Sequence, residues 1–174
     1  MEHRAFAFDY AAFADELKPL LERALADGDA APLEAFVEDH RDALKDPYEG
    51  APLGDDWRDL LENEDVHEYG DFALTRYYDP AADLGLGYDW EDVQVLLQRE
   101  LRTDLPLLGE PVGPPKRRFD PGRSGSYFQS AAQVQRHLEQ VEALARDRAE
   151  LSGDLDALLH VLRTASAKGL YVTF

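Results

Sequence analysis

"LYVTF" at residues 170–174 and "RAFAFD" at residues 4–9 decide the fold. Each is a short apolar stretch outside the helical patterns that fill the sequence between them. "RAFAFD" alternates large and small apolar residues, the period of a strand. "LYVTF" is rich in the β-branched and aromatic residues that strands favour. The two are expected to pair. "FALTRYYD" at 72–79 has similar composition in Thr75, Tyr77 and Tyr78 and supplies a third strand over 72–78. The remaining patterned sequence reads as helix. The expectation is a mainly α fold of about six helices with a minor β-sheet from these three segments. The alternative is an α+β fold whose helices cover that sheet.

The helical segments carry their own punctuation. In "DYAAFADELKPLLERALADGD" (9–29), Phe13, Leu17, Leu20, Leu21 and Ala24 share a face. Pro19 kinks this helix or opens a second one, and Gly28 stops it. "APLEAFVEDHRDALKD" (31–46) places Pro32 at the first turn and aligns Leu33, Phe36, Val37, His40 and Leu44. "DDWRDLLENED" (55–65) is a short helix with acids in its first turn. "DWEDVQVLLQREL" (89–101) follows Asp89 as N-cap. Ser130 and Gln133 form a capping-box pattern at the head of "SAAQVQRHLEQVEALARDRAEL" (130–151). Gly153 interrupts, and "DLDALLHVLRTASAKG" (154–169) is the last helix, with Gly169 as its C-cap.

The 174 residues suit one globular domain spanning 1–174. An apolar fraction of 44% excludes wholesale disorder. The absence of cysteine removes disulfides, thiol catalysis and thiolate metal sites together. No apolar run reaches the roughly 18 residues of a spanning helix, and the first residues do not read as a secretory signal. A cytoplasmic protein is expected. Abundant Ala and Arg against four Lys point to a GC-rich, bacterial genome.

The net charge of -18 is unevenly spread. Residues 1–87 hold 23 acids against 7 bases, whereas 88–174 hold 13 against 11. From Glu34 to Asp71 there are 14 acids and only Arg41, Lys45 and Arg58 to offset them. Such a field repels nucleic acid and anionic membranes and attracts basic partners. It also confers solubility without any partner.

The catalytic and metal patterns fail on inspection. "ENEDVHEYGD" (62–71) sets Glu64 and His67 at Glu-x-x-His spacing, but no second such motif exists. "HEYGD" is no zinc-protease helix, because Asp71 stands where the second histidine belongs. His67 reads as a loop residue in an acidic setting, with no nucleophile beside it in sequence. "GRSGS" (122–126) has Ser126 where a nucleophile elbow needs glycine, and no Walker lysine is present. No cofactor, metal ligand set or catalytic residue is assigned.

"KRRFDPGRSGSYFQS" (116–130) concentrates cations in an acidic chain and gives residues 111–130 a net charge of +3. One reading is an anion site built from Arg117, Arg118, Arg123, Ser124 and Ser126 before a helix start. The favoured reading is a clamp, in which the arginines pair with the protein's own carboxylates and Phe119, Tyr127 and Phe128 anchor the turn. "RYYDPAADLGLGYDW" (76–90) is a second candidate surface through Tyr77, Tyr78 and Tyr88, with Trp90 assigned to the core.

The functional expectation is a binding protein of the inhibitor or immunity type. Its basic protein partner would meet Glu62, Glu64, Asp65, Glu68, Tyr77 and Tyr78. The alternative is a small-anion-binding or enzymatic domain using the 116–130 loop.

Overall fold

Three antiparallel strands form one sheet, in the order β1 (Arg4–Ala7), β3 (Gly169–Thr173), β2 (Ser126–Ser130). The computed structural model describes residues 3–87, 89–102 and 108–173; Tyr88, Pro106 and Phe174 lie outside them. Strand β3 runs down the middle. Its Thr173 faces Arg4 on one side and Ser126 on the other, and Leu170 faces Ala7 and Gln129. The two terminal segments therefore pair as their composition predicts. Strand period then divides the side chains between two cores. Phe6, Phe128 and Tyr171 enter one core, while Ala5, Leu170 and Val172 enter the other.

The first core is covered by α1 (Tyr10–Glu16), α2 (Lys18–Asp27), α3 (Ala31–His40) and α4 (Val66–Leu74). The second is covered by α5 (Trp90–Leu101), α6 (Ala131–Asp147) and α7 (Ser152–Ala165). The result is a mainly helical fold with a small sheet between two helical layers. Phe8, Phe13, Phe128 and Tyr171 meet at ring separations of 4.8 to 5.7 Å in the first core. Burying each such side chain stabilises the fold by about 2–3 kcal/mol.

The local signals act where expected. Pro19 sits in the first turn of α2, and Gly28 closes α2 at φ +74°. Ser130 and Gln133 make a reciprocal capping box on α6.

Four assignments change, the first being the 55–65 helix, which shrinks to a 3₁₀ turn over Trp57–Leu60. The 72–78 segment is not a strand: Phe72–Leu74 finish α4, and Tyr77 and Tyr78 follow in a turn. The third strand is Ser126–Ser130, the end of the cationic stretch. Nor does His67 lie in a loop, because it occupies the first turn of α4. Seven of the nine residues of α4 are buried, so the helix shows no polar stripe by which its period could be read. Gly169 is not a helix cap either. α7 ends at Ala165, and Gly169 opens β3 at φ +131°, where a Cβ would stand 2.6 Å from the Gln129 carbonyl oxygen.

Candidate functional site

The α4 helix organises both polar recesses of the first helical layer. Asp65 caps it, its Oδ1 accepting from the N–H groups of His67 (2.9 Å) and Glu68 (3.0 Å). Residues four apart share a helix face, so His67 and Asp71 line up along it. His67 borders an open groove of about 790 Å³, and Asp71 borders a small cavity of about 150 Å³. The 116–123 loop passes along both, with Pro121 contributing to each. Gly70 permits this approach, since a Cβ there would lie 2.6 Å from the buried Phe119 ring.

Lys116, Arg117, Arg118 and Arg123 line one side of the groove; Glu64, Asp65, His67 and Glu68 also border it. The favoured clamp of arginines on carboxylates is overturned. Among the described residues, none of these four cations makes an ion pair. Other groups hold the loop. Arg117 Nη1 donates to Ala26 O at 2.8 Å, at the end of α2 where the helix dipole is negative. Asp120 Oδ1 accepts from Ser124 N–H (2.9 Å) and Gly125 N–H (2.8 Å). The Asp120 N–H donates to His67 Nδ1 at 3.1 Å, so the neutral ring carries its proton on Nε2. Phe119 and Phe128 are buried anchors, as expected, and Tyr127 is half-buried against the second core. With the loop fixed by backbone acceptors and core rings, the four cationic heads stay exposed.

The proposed anion ligands do not all converge. Ser124 is committed through its N–H to Asp120. Ser126 is buried in β2, its Oγ 3.4 Å from both Tyr171 Oη and Thr173 Oγ1, and it does not border the groove.

The acidic candidates also separate. Asp65 is the helix cap. The Glu68 carboxylate accepts from the N–H groups of Glu62 (2.8 Å), Asn63 (2.8 Å) and Glu64 (2.7 Å), filling a backbone nest with the protein's own anion. Glu62 and Glu64 are exposed. Tyr77 and Tyr78 are 5% and 9% exposed and belong to the first core, so neither stands out on the surface, and Tyr78 reaches only the small cavity. Tyr77 Oη donates to Glu16 Oε2 at 3.1 Å. Burial, then the Glu16 carboxylate, raises the Tyr77 phenol above its ordinary range.

The acidic segment is only partly compensated. Arg41 pairs with Asp55 (3.0 Å), Lys45 with Asp79 (2.9 Å), and Arg58 with Glu34 (3.1 Å) and Glu38 (3.0 Å). Asp39, Asp42, Glu49, Asp56, Asp59, Glu62 and Glu64 are exposed, and their side chains have no ion pair or hydrogen bond among the described residues.

Asp71 is the site residue that sequence reasoning missed. It is 8% exposed, and its carboxyl has no hydrogen bond or ion pair among the described residues. Burial raises its pKa to about 7, against the pull of Arg4 and with the help of Asp46. Tyr78, with its phenol raised chiefly by the same burial, and the exposed Tyr48 border the same cavity. The sequence signal was an ionisable residue inside the otherwise apolar run Tyr69–Leu74.

Among the described residues, no cluster of three potential metal ligands and no helix long and apolar enough to cross a membrane is present. No protein-family model, curated protein or solved structure matches the chain.

Proposed function

We propose that this chain is a binding protein that engages a basic protein partner through its acidic N-terminal half, as an inhibitor or immunity-type protein would. The supporting observation is the set of seven exposed acids between Asp39 and Glu64 without counterions among the described residues, beside three bases that are all already paired. Unpaired like charge is unfavourable within the fold and becomes favourable against a cationic surface. It speeds encounter and is screened by salt.

The test is affinity capture from the host at low salt. The wild type recovers a protein with a pI above roughly 9, and recovery drops about tenfold or more between low and high salt. A variant carrying D39N, D42N, D59N, E62Q and E64Q recovers none. Absence of a basic partner at low salt, or equal recovery by the variant, overturns the reading.

A second reading draws on the groove. Lys116, Arg118 and Arg123 are exposed there without ion pairs among the described residues, which favours a small anionic ligand. Millimolar phosphate or nucleotide then slows tryptic cleavage after Arg117, Arg118 and Arg123. Unchanged cleavage removes this reading.

A further inference from the structure

We propose that the Asp71 cavity receives a primary ammonium group, the end of a lysine side chain on the basic partner. This rests on the partner-binding reading above. The cavity's chemistry is that of a cation acceptor. Asp71 is more than nine-tenths buried, borders the cavity, and has no hydrogen-bond or ion-pair partner among the described residues. The Tyr78 hydroxyl, on a residue 9% exposed, also has no hydrogen bond among the described residues. Both groups border open cavity space instead of a protein donor, and an ammonium group entering there brings three donors and the opposite charge.

The walls suit the same guest. Tyr48 and Tyr78 are aromatic, and a cation gains from ring faces. The volume of about 150 Å³ is below the roughly 300 Å³ of ordinary small-ligand pockets, so it admits the end of one side chain. At the border, Tyr48 is 69% exposed and belongs to the acidic segment. A lysine therefore arrives through the negative field and meets an exposed tyrosine, a residue type that dominates binding hot spots. Arg4 also borders the cavity and its charge acts on Asp71, but its guanidinium is bonded to other groups. Its Nη2 donates to Pro80 O at 2.8 Å, its Nε lies 3.8 Å from Asp83, and it sits 5.0 Å over the Phe6 ring. No ion pair joins it to Asp71.

The charge state of Asp71 makes capture depend on pH. The groups acting on its carboxyl are Arg4 on β1, Asp46 in the loop before Tyr48, and the Tyr48, Tyr78 and Tyr171 phenols. The phenols are all raised and stay neutral near pH 7, so Asp71 is the cavity group that titrates there. Ammonium binds the ionised form, so affinity rises as pH rises through about 7.

The experiment titrates the intact protein with n-butylammonium, following tyrosine resonances by NMR. Saturable binding is expected, about fivefold or more tighter at pH 8 than at pH 6, lost in D71N and weakened in Y48A. Butyrate is the negative control. No binding at roughly 100 mM butylammonium and pH 8, or equal binding by D71N, overturns the cavity's role. The lysine source is tested separately with the captured partner. Capture by D71N that is weakened about tenfold supports it, and undiminished capture overturns it. The charge-neutralised surface variant keeps butylammonium binding but loses the partner, so failure of the surface reading is distinguishable from failure of the cavity.

Discussion

The backbone N–H of Asp120 donates to Nδ1 of His67 at 3.1 Å, tying the cationic loop to the first turn of α4. The His67 ring also lies 6.1 Å from the Phe119 ring at 26°. His67→Phe keeps an aromatic ring there and removes the acceptor. The Asp120 N–H then loses its partner in a half-buried setting, at an expected cost of about 1–2 kcal/mol. Urea denaturation checks the cost. Trypsin cleavage after Arg117, Arg118 and Arg123 should quicken in the same variant.

Asp71→Asn tests the buried carboxyl through stability. The folded pKa is raised to about 7 from an ordinary carboxylate value, so the unfolded chain releases this proton first as pH rises. Stability falls between about pH 4 and pH 7 and levels off above, while below pH 4 both states are protonated. Asparagine removes that slope. D71N should equal the wild type near pH 3 and exceed it at pH 8, by an amount on the order of 4 kcal/mol at most. Denaturant melts across this range are the measurement, and a less stable D71N at pH 8 contradicts the unpaired carboxyl.

His137 gives the opposite slope. Its Nδ1 lies 2.7 Å from Gln129 Oε1 in a buried position, and burial followed by Arg136 pushes its pKa below the ordinary imidazole value. As pH falls below that value the unfolded chain takes the proton first, and stability is lost until the folded pKa is passed. In the wild type this loss opposes the gain from Asp71. The D71N background should therefore show a clear loss of stability from pH 7 to pH 5, and adding H137Q should flatten it.

Gly70→Ala sets helix propensity against packing. In an exposed helix interior this change gains about 1 kcal/mol. Here the new methyl meets Phe119 Cε2 at 2.6 Å and Leu21 Cδ1 at 3.1 Å, and both residues are fully buried. Neither can withdraw into solvent, so a net loss of about 1–3 kcal/mol is expected in thermal or urea melts.

Much of the fold was legible because its signals are local. Pro19, Gly28, Pro32 and the Ser130–Gln133 box act within a turn of where they stand. The 72–78 segment misled because Phe72, Thr75, Tyr77 and Tyr78 have strand composition, yet tertiary burial decides their state. α4 was hidden for the same reason. Its contacts come from several sides, and only a helix with a solvent face displays its period.

The candidate site divides along the same line. The sequence alone determined the acidic N-terminal half and the cationic 116–123 loop, because charge counts need no partner to be read, while the pairing expected of the terminal strands is made by the fold. The tertiary structure decided which of those charges are spent. It placed Glu68 in its own backbone nest, held Arg117 on a helix carbonyl, and left Lys116, Arg118 and Arg123 without ion pairs among the described residues. It also buried Asp71 beside Tyr78. A side chain's charge is written in the sequence, but its solvation and its counterion come from residues distant along the chain.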